Sequence, residues 1–293
     1  MWIFFSILAP LCWAIANAID KYILTKWVKK PLIPIIITGV VGLATSSVIY
    51  FIRGFSELSS FNIFLALTSG VITILLYVFY FKAIQIEEAS RIVPLFYLSP
   101  LFVLILAAIF LNEVFTPEKY LGIFLLIAGA VLISIKNFSK ISFGKAVGWM
   151  ALSAVFGSIT ALLAKYLLNL ADFWTIFSYR SMGMAIGSLP IAYFYFSDLR
   201  KVVKQFGKRT IVAISASETM GLIGILFITI ATSAGFVTLV NALSSIQPFF
   251  VLIITGLLGV FYPHIIKEES SRKIMFQKTV AIIVMFVGVL LIM

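Results

Sequence analysis

The chain has 293 residues, 62% of them hydrophobic and 11% charged, with a mean hydropathy of +1.15. Soluble domains average roughly 45–50% apolar and 25% charged residues, so an ordinary soluble fold is excluded. The formal net charge is +11; a single cysteine, Cys12, and a single histidine, His264, exclude a disulfide framework and a cysteine- or histidine-based metal site.

A membrane span needs about 20 mostly apolar residues. Read in chain order, ten runs qualify: 2–24, 32–52, 62–84, 90–111, 118–136, 145–168, 172–194, 209–231, 234–258 and 277–293. None alternates with period two, and lipid satisfies no open backbone group, so each run predicts a helix. The first run lacks a small-residue cleavage site and more spans follow it, which argues against a cleavable signal peptide. Short connections leave little room for an extramembrane domain. The expected fold is an all-α integral membrane protein of ten transmembrane helices.

The two halves resemble each other. "DKYIL" (Asp20–Leu24) closes the first span as "AKYLL" (Ala164–Leu168) closes the sixth. "SPLFVLIL" (Ser99–Leu106) in span four matches "QPFFVLII" (Gln247–Ile254) in span nine, and "AGAVLIS" (Ala128–Ser134) in span five matches "FVGVLLI" (Phe286–Ile292) in span ten. Five helices per repeat reverse the second repeat relative to the first, which gives an inverted-topology pair, residues 1–138 and 139–293, an architecture common among secondary transporters.

The stretch Ala89–Ser134 carries a proline in the fourth span (Pro100), an Asn112–Glu113 step, a Thr116–Pro117 helix start and glycines at 122 and 129. With ten helices in two repeats, this resembles the EamA-like branch of the drug/metabolite transporter superfamily. The resemblance implies a multi-pass cell-membrane transporter of a small metabolite and names no substrate. After Gly259 the second half departs from the pattern: "VFYPHIIKEESSRKIMFQK" puts a charged insertion where the Glu-Thr-Pro step would stand.

Charge placement accounts for the excess of basic residues. Eighteen lysines and arginines fall at the odd-numbered loops and three, Arg53, Lys119 and Lys165, at the even-numbered ones. They mark one membrane face, so nucleic acid is not needed as a partner. The positive-inside rule puts the odd loops in the cytoplasm and both termini outside, whereas the family resemblance implies termini inside; the bias in short loops favours termini outside.

Only Arg180 among the basic residues is unexplained by topology. It lies about 12 Å into span seven at 1.5 Å per residue, and Glu218 lies at comparable depth in span eight. Charges inside spans commonly line a pathway. Arg180 is therefore a candidate ligand for an anionic or carbonyl group, with Glu218 orienting the solute or holding an amine. The alternative is a structural Arg180–Glu218 salt bridge. Gly183 and Gly187 share the Arg180 face, and Gly221 follows Glu218 by three residues; small residues admit either a neighbouring helix or a ligand.

A second tier of candidates lies in spans four and nine. Tyr97 and Ser99 precede Pro100; Asn241, Ser245 and Gln247 precede Pro248. Each proline is expected to kink its helix and expose a carbonyl beside these polar groups, although Ser and Asn also serve helix–helix hydrogen bonding. Trp13 and Asn17 share a face of span one and are candidates for the same cavity. Lys21–Tyr22 and Lys165–Tyr166, repeated at span ends, read as interface anchors.

No constellation of His, Cys and Asp supports a membrane enzyme, no Walker motif supports a primary pump, and no metal or cofactor is expected. The expected function is secondary transport, in the export direction, of a small polar or amphipathic metabolite such as an amino acid or organic anion. A proton is a candidate coupling ion through Glu218, a role that a nearby Arg180 would weaken, and the lipid bilayer and a small-molecule substrate are the expected partners of a monomer or homodimer. The alternatives are efflux of drugs or hydrophobic cations, or a non-transport membrane scaffold.

Overall fold

In a computed structural model, described for residues 1–86, 89–134, 144–261 and 272–293, the chain is helical throughout its spans. The helices are α1 (Trp2–Lys26), α2 (Pro34–Arg53), α3 (Ser60–Ile86), α4 (Ala89–Phe96), α5 (Ser99–Phe110), α6 (Pro117–Ser134), α7 (Lys145–Leu168), α8 (Phe173–Phe206), α9 (Arg209–Ala234), α10 (Val237–Ser244), α11 (Gln247–Phe261) and α12 (Arg272–Ile292). Eight passes are long and apolar enough to cross a membrane by length and composition, two of them built from the pairs α4–α5 and α10–α11. With α8 and α12 the bundle has its ten transmembrane passes. The boundary between residues 138 and 139, and the charged insertion from Tyr262 to Ser271, lie outside the described residues.

Two expectations are refined. Spans four and nine are each interrupted at the expected kink: the helix stops at Phe96 and restarts at Ser99, and it stops at Ser244 and restarts at Gln247. Pro100 and Pro248 are each the second residue of the restarting helix, where a missing N–H costs nothing because the first turn has no intrahelical acceptor for it. Pro100 and Pro248 thus open the second half of each span, after a two-residue turn closed by hydrogen bonds to the third residue back. Span seven, for its part, continues to Phe206, well beyond residue 194. The extra turns are tied to the α1–α2 connection: Asp198 forms a 2.7 Å ion pair with Lys30, and Leu199, Val202 and Val203 share one hydrophobic cluster with Trp27 and Val28.

The helix pairs follow a two-fold rule. α1 packs on α9 and, at the corresponding place in the other half, α3 packs on α7; α2 pairs with α8 and α6 with α12. The α6–α12 contact is reciprocal, since a Cβ on Gly122 would meet the Gly288 carbonyl at 2.9 Å and one on Gly288 would meet the Gly122 carbonyl at 2.8 Å. The five-helix repeats therefore interleave, and the closest packing joins one repeat to the other.

Gly183 and Gly187 are contact points, not cavity walls. A Cβ on Gly183 would run into the Leu67 backbone of α3, with its Cα at 2.9 Å, and one on Gly187 would meet the Val71 Cα at 3.1 Å. On the facing helix, Gly70 sits against the backbone of Arg180, Gly183 and Met184. Small residues here let α3 and α8 approach backbone to backbone.

At the start of α8, Asp172 is the N-cap: its Oδ1 accepts from the amides of Trp174 (2.9 Å) and Thr175 (3.2 Å), and its Oδ2 accepts from the hydroxyls of Ser56 (2.5 Å) and Thr175 (2.7 Å). Burial alone would raise its pKa, but these four hydrogen bonds outweigh that and hold it below the ordinary carboxylate value. The cap fixes the entry of the helix that carries Arg180.

Candidate functional site

Arg180 sits two turns into α8, 8% exposed, and its Nε is buried without a hydrogen-bond partner. No described side chain pairs with it. Glu218, on α9, takes instead a 2.6 Å hydrogen bond from the Thr38 hydroxyl of α2. The Arg180–Glu218 salt bridge expected as the structural alternative is therefore not formed in this structure. The Tyr77 hydroxyl of α3 lies within electrostatic reach of Glu218, Asp20 and Arg180 alike.

Asp20 is the residue that sequence reading missed. It lies six residues before the end of α1, about 9 Å from it at 1.5 Å per residue. Its Oδ1 accepts a 2.6 Å hydrogen bond from Ser217 of α9, next in sequence to Glu218, and it lies within electrostatic reach of Glu218 itself. The signal was present: a long lysine can snorkel from such a depth, whereas an aspartate is too short to do so. Five helices thus build one polar centre: Asp20, Thr38, Tyr77, Arg180, and the pair Ser217–Glu218. It combines a guanidinium, two carboxylates and a phenol.

The remaining candidates fall into two groups. Beside the centre, Trp13 lies over Gly224 and donates its indole N–H to the Gly221 carbonyl at 3.2 Å, which uses it in α1–α9 packing. Asn17, between Trp13 and Asp20 on the same helix, is exposed, and open space faces Gly221 one turn after Glu218. At the two helix interruptions, Tyr97 is buried in the α4–α5 break, and Ser245, in the α10–α11 break, has a buried hydroxyl with no partner. Ser99 is engaged with α7, its hydroxyl 3.2 Å from the Ala154 carbonyl and from the Ser158 hydroxyl. Asn241 donates to the Val237 carbonyl of its own helix at 2.9 Å, while Gln247, half-buried, opens α11. Tyr80 of α3 lies within electrostatic reach of Asp20 and of Tyr97 in the α4–α5 break.

Two further residues have a different role from the one their positions suggested. Glu113, in the loop after α5, is 4% exposed and accepts from the amides of Val237 (2.9 Å) and Thr238 (3.0 Å), the first turn of α10. Lys165 is not an interface anchor: its Nζ donates to the carbonyls of Thr232 (3.0 Å) and Gly235 (2.8 Å) at the end of α9.

The chain is similar to known membrane transporters. The model of the EamA-like transporter family matches residues 1–135. An uncharacterized transporter of Bacillus subtilis (strain 168), YxxF, is 28% identical over 137 residues, 45% of this chain and 44% of its own length. An uncharacterized transporter of Archaeoglobus fulgidus is 30% identical over 192 residues, 65% of this chain and 55% of its own. The chain thus spans about half the length of the curated relatives it matches. A solved crystal structure covers 99% of this chain and 96% of its own at a TM-score of 0.73 and 17% identity, a likeness of fold.

Proposed function

We propose that the chain is a transporter of the EamA-like family, whose model matches residues 1–135, and that it exports a small zwitterionic or anionic metabolite, such as an amino acid or organic acid, by alternating access. One observation carries the reading: Arg180 is buried within a span and its Nε has no hydrogen-bond partner among the described residues. A guanidinium in low dielectric is costly until an anion pairs with it. A solute carboxylate supplies that anion and can engage the guanidinium at two points.

Asp20 and Glu218 give the site its second pole. They are held by Ser217 and Thr38 and form no ion pair with Arg180, while Tyr77 lies within electrostatic reach of all three. A zwitterion would put its carboxylate on Arg180 and its ammonium on the carboxylates. The same carboxylates are where we assign the coupling proton. A hydrophobic cation would suit the acidic pole but be repelled by the guanidinium, so drug-cation efflux is the weaker reading.

A thermal-shift panel of amino acids and of the matching deaminated acids tests the assignment. Zwitterions are expected to stabilise the protein most. Asp20→Asn combined with Glu218→Gln should lose the zwitterion preference yet keep the response to acids. Hits that stabilise Arg180→Gln as well as the unaltered protein would overturn it.

A further inference from the structure

The turn between α9 and α10 is gripped from four directions. Lys165 of α7 holds the C-terminal carbonyls of α9, and Glu113 from the α5–α6 loop holds the N-terminal amides of α10. The Phe115 ring meets Phe236 edge-on at 5.4 Å, and a Cβ on Gly235 would touch the Trp2 ring at 3.0 Å. Each charge matches the helix end that it caps, a cation on exposed carbonyls and an anion on exposed amides. Lys165 and Glu113 also attract one another.

Asn112 explains how Glu113 reaches that position. It alone among the described non-glycine residues has a positive φ, 54°, and the Glu113 amide bonds back to the Ala107 carbonyl at 3.2 Å. That is a helix end with a left-handed residue, tolerated by asparagine, followed by the residue it aims. The Asn-Glu step therefore ends α5 and caps α10 at once.

The two-fold relation gives Lys165 a counterpart. Lys21–Tyr22 repeats Lys165–Tyr166 in sequence, and α1 stands to α3 as α7 stands to α9. Yet Lys21 is exposed and donates to no described residue, while Lys165 is engaged. The asymmetry recurs in the helix contacts. α3 lies far more closely on α8 than α2 does on α9, although the two contacts are counterparts.

We infer that Lys165 and Lys21 are alternating latches: Lys165, with Glu113, locks the even-loop face in this structure, and Lys21 takes the end of α3 when that face opens. Opening the even face separates α7 from α9, which strips the α9 carbonyls of their cation. Closing the odd face brings α1 onto the end of α3, where Lys21 supplies the equivalent one. Each state then satisfies one helix terminus, so neither face opens without the other gaining a lock. The inference rests on the alternating-access reading.

Spin labels on a Cys12→Ser background test it by distance distributions. Val114→Cys with Ser233→Cys reports the even face, and Thr25→Cys with Ile86→Cys reports the odd face. Lys165→Met is expected to raise the even-open to even-closed ratio about tenfold, the scale of a lost charged hydrogen bond, while the odd-face distance shortens. Lys165→Arg should restore the narrow distribution. Lys21→Met, added to Lys165→Met, should return the ratio toward that of the unaltered protein. Because the exposed Lys21 side chain donates to no described residue, Lys21→Met is expected to fold whatever the fate of Lys165→Met. Labelled alone, it should remove any even-open population that the unaltered protein shows. An even-face distribution unchanged by folded Lys165→Met, or one indifferent to Lys21→Met, would overturn the inference. Solute binding at Arg180 is measured separately by thermal shift, so loss of the latch reading leaves that assignment standing.

Discussion

Arg180→Met raises the melting temperature of the empty protein and abolishes its response to solute. A buried cation without a partner is a standing cost in the empty state. Methionine fills much of the same volume without that charge, and exchanges of buried ionic for apolar groups stabilise by about 1–4 kcal/mol. Binding runs the other way. Losing one member of a buried, hydrogen-bonded charge pair costs about 2–5 kcal/mol, or about 30-fold or more in Kd. Opposite signs on the two quantities separate a ligand residue from a structural one. A salt-bridge arginine would lose stability on the same substitution. Thermal denaturation of the detergent-solubilised protein, with and without the panel's best solute, reads both at once. A lower melting temperature for the empty variant would remove the argument that Arg180 waits for a ligand.

Gly183→Ala is the larger structural effect. The new Cβ would run into the Leu67 backbone, and Gly70 faces the Arg180 and Met184 backbone in return. No flexible side chain can give way, so α3 and α8 must move apart. Overpacking costs typically about 1–3 kcal/mol and more where backbone must shift; the expected loss here is about 3 kcal/mol or more. Gly221→Ala is the control, because a Cβ there meets nothing within 4 Å. It should fold as the unaltered protein does. Equal melting temperatures for the two variants would contradict the close α3–α8 contact.

Much of this fold is legible in the sequence. Hydropathy alone places α7 at Lys145–Leu168 and brings most other helix ends within two or three residues of those observed. The helix breaks at 97–98 and 245–246 escape it, because they change no residue's hydropathy. Only the matched Ser99–Pro100 and Gln247–Pro248 steps mark them, and a proline at the second position of a helix reads in sequence like a proline in its middle. The extension of α8 to Phe206 escapes for the opposite reason, since its charges end the apolar run while its helical period continues.

The site was legible in its deepest charge and not in its pairing. Arg180 stood out because nothing else explained a cation there. Its expected partner, Glu218, belongs to Thr38 in the structure, 180 residues away in sequence, and Asp20 belongs to Ser217, 197 residues away. Contacts of that range follow from packing across the two repeats, which no spacing within one span reports. The same holds for Glu113, whose acceptor role toward Val237 spans 124 residues. Its motif could be quoted from the sequence, but its use as a cap of the opposite repeat could not.

Solute flux in proteoliposomes tests the central claim most directly. The unaltered protein, reconstituted with the zwitterion that stabilises it best, is expected to move that solute without ATP, and a pH gradient should change the rate. Arg180→Gln, folded and inserted to the same level, should reduce flux to that of empty liposomes. Flux through Arg180→Gln at the rate of the unaltered protein would contradict the account.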